Sequence, residues 1–189
     1  MSRKPERAAP SADVHVALLR GINVGGKNKL SMDDLAGVFV EEGCRDVRTY
    51  IQSGNVVLRA APTLAARLAS RVSERVRKRL GLRVPVVLRT ARELQLVARG
   101  NPYLGAGADP DLLHVMFLAD APGKAAVAGL DAKRSPPDEF TVVGREIYLR
   151  LPHGAARTKL TNAYFDGQLA TVSTMRNWRT VLKLVELSS

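Results

Sequence analysis

The chain has 189 residues, of which 46% are hydrophobic, so it can bury a core as one domain or as two small ones. Its 29 lysines and arginines against 18 acids give a formal charge of +11. That excess favours an anionic partner, although a coding bias towards arginine and alanine would produce it too. The single cysteine, Cys44, excludes an intramolecular disulfide and a cysteine-based metal cluster.

Residues 1–13 are basic and lack the apolar core of a secretory signal, so we predict a disordered tail there. No apolar run reaches the roughly 18 residues of a membrane span, which favours a cytoplasmic protein with no membrane partner. No spacing of ligands predicts a metal, and no motif predicts a cofactor.

The first half, residues 14–99, has the periodicities of a ferredoxin-like unit followed by one helix. Ser31 with Asp34, and Thr90 with Glu93, have the spacing of helix-capping pairs. The Ser53-Gly54 pair predicts a hairpin. The predicted elements are a strand at 14–20, a helix at 31–42, strands at 47–52 and 55–59, a helix at 62–80, a strand at 84–89 and a helix at 90–99. This β-α-β-β-α-β order is the ferredoxin-like arrangement.

The second half, residues 112–189, repeats that order after a linker at residues 100–111 that has two prolines and three glycines. The segment beginning His114-Val115 echoes the one beginning His15-Val16. The predicted elements are strands at 112–118, 140–143, 147–151 and 169–172, and helices at 124–130, 158–165 and 175–187. We therefore predict an α+β fold of two ferredoxin-like subdomains, a duplication, with an additional C-terminal helix.

A loop of glycines, amides and lysines follows the first strand, and such a loop offers backbone N–H groups beside positive charge to an anion. In this topology the first and third strands are antiparallel neighbours, so the loop is expected beside the turn at residues 52–55. We call the resulting surface the rim. Its predicted ligand-binding residues are Arg20, Asn23, Gly25, Gly26, Lys27, Lys29, Gln52, Ser53 and Asn55. Backbone N–H groups would bind the anion, the lysines would supply charge and the amides would orient it.

Three segments resemble one family. They are ALLRGINVGGKN at residues 17–28, YIQSGNVV at residues 50–57 and MRNWRTVL at residues 175–182. The chain from Val14 to about Leu187 is similar to the bacterial family catalogued as domain of unknown function 1697. The resemblance implies an α+β fold built from two ferredoxin-like subdomains, and it implies no activity.

Arg176 and Arg179 are a second group of predicted ligand-binding residues. They are expected to begin the final helix, capped by Ser173 or Thr174, where a helix start and arginines suit a phosphate. Ordinary surface charge, or a role in holding that helix against the first subdomain, explains them equally well. The residues of the turn likewise have a structural alternative, namely bonds to the backbone of the neighbouring loop.

We therefore predict an uncharacterised protein that binds an anionic, phosphate-bearing small ligand at the rim. A nucleotide triphosphatase is disfavoured, because Asn28 stands where a P-loop has a hydroxyl. One alternative is an enzyme acting on a phosphorylated or nucleotide substrate, with Lys27 as electrostatic stabiliser and His153 as acid–base group. Another is a non-specific nucleic-acid-binding protein that uses its basic surface. Neither the catalytic residues nor the oligomeric state can be predicted.

Overall fold

The structure is a computed structural model that describes residues 12–23 and 29–189. Its strands are β1 (Asp13–Leu19), β2 (Arg45–Tyr50), β3 (Asn55–Ala60), β4 (Val86–Thr90), β5 (Leu113–Leu118), β6 (Glu139–Val143), β7 (Glu146–Arg150) and β8 (Ser173–Asn177). Its helices are α1 (Met32–Glu41), α2 (Pro62–Leu80), α3 (Ala91–Arg99), α4 (Pro102–Gly105), α5 (Lys124–Ala128), α6 (Asn162–Leu169) and α7 (Trp178–Ser188), with a 3-10 helix at Pro110–Leu112. None of the described helices is long and apolar enough to cross a membrane.

The strands form two four-stranded antiparallel sheets, with β2-β3-β1-β4 in one and β6-β7-β5-β8 in the other. The molecule is therefore a mixed α+β protein. The first strand of each half, β1 or β5, lies inside its sheet, and the last strand, β4 or β8, lies at an edge. The two layouts correspond strand for strand.

Three apolar clusters arise because alternate residues of a strand face opposite sides of its sheet. Ala17 and Leu19 face α1 and α2 in the first cluster, whereas Val16 and Leu18 face the opposite side. That side packs against α3, α7 and the matching face of the second sheet, with Trp178 buried among them. Phe165 of α6 lies in the third cluster, on the outer side of the second sheet. The central cluster thus joins the two halves.

Hydrogen bonds at the ends of β1 and β5 also match between the halves. The bond from Leu19 N to Gly54 O has the same place in its sheet as the bond from Leu118 N to Arg145 O. The bond from Arg20 N to Pro85 O likewise matches the bond from Ala119 N to Val172 O. All four bonds are 2.7–3.0 Å long. Thr90 ends β4 and caps α3, while Asn177 ends β8 and caps α7. These matches pair residues 85–90 with residues 172–177.

The end of the chain differs from its prediction. Residues 175–177 complete β8 rather than opening the final helix, and the cap of that helix is Asn177 rather than Ser173 or Thr174. The helix predicted at 158–165 spans 162–169 because Thr161 caps it, and the strand predicted at 169–172 therefore begins later, at Ser173. The predicted linker, residues 100–111, contains α4 and part of the 3-10 helix.

Candidate functional site

Asn23 connects the loop after β1 to the turn between β2 and β3. Its side-chain amide donates to Leu30 O at 2.8 Å and to Gln52 O at 3.0 Å, and its Oδ1 accepts from Leu30 N at 2.9 Å. The residue has a φ of 55°, a left-handed conformation that asparagine tolerates better than most residues do. The two ends of the loop, at Asn23 and Leu30, therefore lie beside the turn, as the rim requires.

Part of the rim can be located. Lys29 and Gln52 are exposed and Ser53 is half-buried. Lys29 has no ion-pair partner among the described acids, whereas the hydroxyl of Ser53 accepts from Asn55 Nδ2 at 2.9 Å and keeps its own proton to donate. Gly25, Gly26 and Lys27 lie outside the described residues.

Gly54 allows the turn to lie against β1. Its φ is 76°, and a Cβ at this position would come within 2.8 Å of Leu19 Cβ and 3.0 Å of Ile22 Cδ1. A larger residue would therefore be strained both by its backbone conformation and by these contacts. The glycine sets how closely the turn approaches the loop.

Arg20, predicted to bind a ligand, bonds the second half of the molecule. One guanidinium nitrogen donates to Asp166 Oδ2 at 2.5 Å and to Ser173 O at 2.9 Å. Asp166 also accepts from the Ser173 hydroxyl at 2.6 Å. Arg20 therefore joins β1 to α6 and β8.

Arg176 lies in the interior, beneath the turn, rather than at a helix start. Its Nε donates to Asn55 Oδ1 at 2.6 Å. The terminal nitrogens donate to a hydroxyl and to main-chain carbonyl oxygens, namely those of Thr174 (2.8 Å), Met175 (2.8 Å), Leu19 (2.7 Å), Ser53 (3.2 Å) and Gly54 (3.2 Å). Every acceptor is neutral. Burial lowers the pKa of Arg176 to about 10, so the group stays charged at neutral pH.

Arg89 makes the equivalent set of bonds in the other direction, from the first half to the second. Its Nε donates to Glu146 Oε1 at 2.8 Å. Its terminal nitrogens donate to the carbonyl oxygens of Leu88 (2.9 Å), Leu118 (2.7 Å) and Arg145 (3.0 Å). Burial lowers the pKa of Arg89, and the negative charge of Glu146 opposes that shift.

The two arginines differ in the charge of the partner at Nε. Arg89 faces a carboxylate, whereas the equivalent partner of Arg176 is the amide of Asn55, which is fully buried. No described acid lies within ion-pair distance of Arg176. The positive charge of Arg176, which lies against the rim, is therefore not neutralised by a described carboxylate, whereas that of Arg89 is.

Arg179 lies away from this arrangement. Its guanidinium makes two bonds of 2.7 Å to Asp111, and both side chains are largely exposed. It follows the end of β8 at Asn177, whereas Arg20 contacts the opposite end of that strand at Ser173. The structure does not bring Arg179 to the rim.

The features that support the alternatives are also separate from the rim. His153 is exposed, in the segment between β7 and α6. Two basic residues of α2, Arg71 and Arg75, bind the buried carboxylate of Glu42, so they are engaged within the protein rather than free to contact a nucleic-acid backbone. Among the described residues, no group of three or more histidines, cysteines or acids can hold a metal ion.

Sequence reasoning missed Arg89, Glu146 and Asp166. Arg89 and Arg176 each stand directly before the capping residue of a helix. The sequence places the second cap at Ser173 or Thr174, so aligning the halves on their predicted caps does not pair the two arginines. Asp166 carries no local signal, since only the packing of α6 brings it to Arg20.

The comparisons agree with this architecture. A family model described as a protein of unknown function, DUF1697, matches residues 13–148. The chain belongs to this family. The structure of the conserved bacterial protein SP0830 from Streptococcus pneumoniae is similar to this DUF1697 chain, with a TM-score of 0.68 and 21% sequence identity over 94% of this chain and 99% of that one. The two share a fold. No curated protein matches the sequence.

Proposed function

We propose that this DUF1697 protein binds an anionic, phosphate-bearing small ligand at the rim. The observation that carries the proposal is the buried guanidinium of Arg176, which has only neutral partners and lies directly beneath the Ser53-Gly54 turn. Charge that is poorly screened by solvent acts over a longer distance than charge at the surface. An anion seated on the turn would offset it.

The described rim residues have separate roles in this proposal. Lys29 supplies the exposed charge, and Ser53 and Gln52 donate hydrogen bonds to the phosphate oxygens. Arg20, Asn55 and Arg176 hold the rim in shape instead of contacting the ligand. Asn23 keeps the loop against the turn.

We also propose that the two halves are ferredoxin-like subdomains that arose by duplication. The equal strand orders and the matching bonds of Arg89 and Arg176 support this origin. Duplication gives a reason for the difference between Glu146 and Asn55. In one copy a carboxylate neutralises the arginine, and in the other the charge is left for a ligand.

The test is calorimetric titration with pyrophosphate of the wild-type protein, a Lys29→Ala variant and a Lys124→Ala variant. Both lysines are exposed and lack an ion-pair partner among the described acids, so the substitutions change net charge equally. We expect Lys29→Ala to weaken binding about fivefold, the equivalent of about 1 kcal/mol for one exposed charge contact, and Lys124→Ala to leave it unchanged.

Absence of pyrophosphate binding, or equal losses in the two variants, would contradict the proposal. Salt dependence separates the nucleic-acid alternative. A duplex contacted through many phosphates loses affinity steeply as salt rises, whereas a pocket for one phosphate group gives a shallow slope.

A further inference from the structure

The free edge of β4 carries three backbone groups that have no hydrogen-bond partner among the described residues, namely the N–H and C=O of Val86 and the N–H of Leu88. Arg20 N donates to Pro85 O, so Pro85 faces β1. Successive residues of an antiparallel strand turn their N–H and C=O groups to alternate sides. The backbone groups of Val86 and Leu88 therefore point away from β1. Consistent with this direction, the guanidinium of Arg89 donates to Leu88 O at 2.9 Å.

The equivalent edge of β8 is closed by arginines. Ser173 O accepts from Arg20 at 2.9 Å, and Met175 O accepts from Arg176 at 2.8 Å. The position that matches Arg20 in the second half is Ala119, whose side chain has no donor. Within the described chain, no side chain donates to Val86 O. Leu88 O is capped by Arg89 as Met175 O is by Arg176, so the edge of β4 is open at Val86, where that of β8 is capped at Ser173.

A cleft runs along this open edge. It consists of two adjoining hollows of about 570 and 310 Å³, both lined by Ala69, Val86 and Ala119, and its β4 side extends from Arg83 to Thr90. One wall is the small-residue face of α2 and the other belongs to the second half. The wall residues are Ala65, Ala66, Ala69, Ser70 and Ser73 from α2, and Ala119, Arg145 and Val172 from the second half. Small side chains leave room for another main chain beside β4.

The charges around the cleft favour an acidic occupant. Four arginines line it, and three of them are ion-paired, namely Arg77 with Glu74, Arg89 with Glu146 and Arg145 with Glu93, which leaves the charge of Arg83 unbalanced. Arg83 is exposed and has no ion-pair partner among the described acids.

We propose that β4 is a docking edge for an extended, acidic peptide segment of a partner protein. The segment adds a strand to the first sheet, with its main chain bonded to the N–H and C=O of Val86 and to the N–H of Leu88. Its carboxylates lie near Arg83. This inference is independent of the phosphate site.

The test measures fluorescence anisotropy with a labelled peptide of alternating valine and glutamate. Its length is about eight residues, which matches Arg83–Thr90 at about 3.3 Å per residue. Ala119→Arg is the informative variant, because it introduces the side chain that closes the edge of β8. We expect it to weaken binding about tenfold or more. Ala156→Arg, which adds the same charge at an exposed position away from the cleft, should not weaken it.

Two further readouts keep the result interpretable if Ala119→Arg does not fold. Alternate amides of the peptide are N-methylated in two sets, and only the set that faces β4 should abolish binding. Hydrogen exchange of the Val86 and Leu88 amides should slow when the peptide is added. Binding that tolerates both methylated peptides would overturn the proposal. So would a wild-type dimer in sedimentation that Ala119→Arg dissociates, since the edge would then serve a second copy of this chain.

Discussion

Ile51 is a β-branched residue in a left-handed conformation, with a φ of 46° and half of its surface exposed. Such a side chain crowds the backbone at positive φ, at a cost of about 1–2 kcal/mol. The position follows β2 and precedes Gln52, whose carbonyl oxygen holds Asn23. The strain therefore lies in the turn that forms part of the rim.

Replacing Ile51 with asparagine should raise the free energy of unfolding by about 1 kcal/mol, because asparagine tolerates this conformation. Urea unfolding at neutral pH measures the change. Val143→Asn is the matched control, since Val143 is equally exposed and β-branched but is not among the residues with positive φ. An equal gain in both variants would show that removing exposed apolar surface, rather than strain, is responsible.

At the scale of elements, α1 and α2 are joined by a carboxylate at an unfavourable place. Glu42 caps the C-terminal end of α1, where the helix dipole disfavours negative charge, and its side chain is buried. Arg71 and Arg75 of α2 both bind it. Burial alone would raise the pKa of Glu42, but the hydrogen bonds and charges of the two arginines outweigh it, and the pKa lies below 4.5.

The lowered pKa sets the pH dependence of this contact. A carboxylate that titrates lower in the folded state contributes stability above its unfolded pKa, near 4.5, and loses it as pH falls through the folded value. Glu42→Gln should therefore cost about 1.5–3 kcal/mol at pH 7, as for hydrogen bonds to a charged group, and progressively less in acid. Urea unfolding between pH 7 and pH 3 tests this. Glu41→Gln, at a more exposed acid, should cost under about 1 kcal/mol.

Local signals predicted the elements that depend on local interactions. Ser31 and Thr90 accept from the backbone N–H groups three residues ahead, as their spacing indicated, and α1 and α3 begin there. Residues 173–177 carry the same kind of signal, since serine and threonine there suit a cap. Pairing with β5 makes them a strand instead, and that pairing is a tertiary contact which short-range patterns do not encode.

At the scale of the molecule, charged side chains join the two halves around the shared apolar cluster. Arg20 and Arg89 extend from the first half, and Arg145 and Arg176 from the second. The proximity of loop and turn could be predicted, because topology alone fixes it. The engagement of Arg20 and Arg176 within the protein could not, because it depends on how the two sheets face each other.

Exchanging the partners of the two equivalent arginines tests whether the asymmetry of charge governs anion binding. Asn55→Asp places a carboxylate beside Arg176, so the positive charge beneath the turn is neutralised. We expect pyrophosphate affinity to fall about fivefold, because one interacting charge is cancelled.

Glu146→Gln is the control, because it removes the carboxylate beside Arg89, the arginine equivalent to Arg176. It should leave the affinity unchanged while lowering the free energy of unfolding by about 1.5–3 kcal/mol, the contribution of a charged hydrogen bond. Calorimetric titration and urea unfolding of both variants separate the two effects. Equal affinity losses would show that they follow from loosening the contact between the halves, and unchanged affinity in Asn55→Asp would remove Arg176 from any account of the ligand.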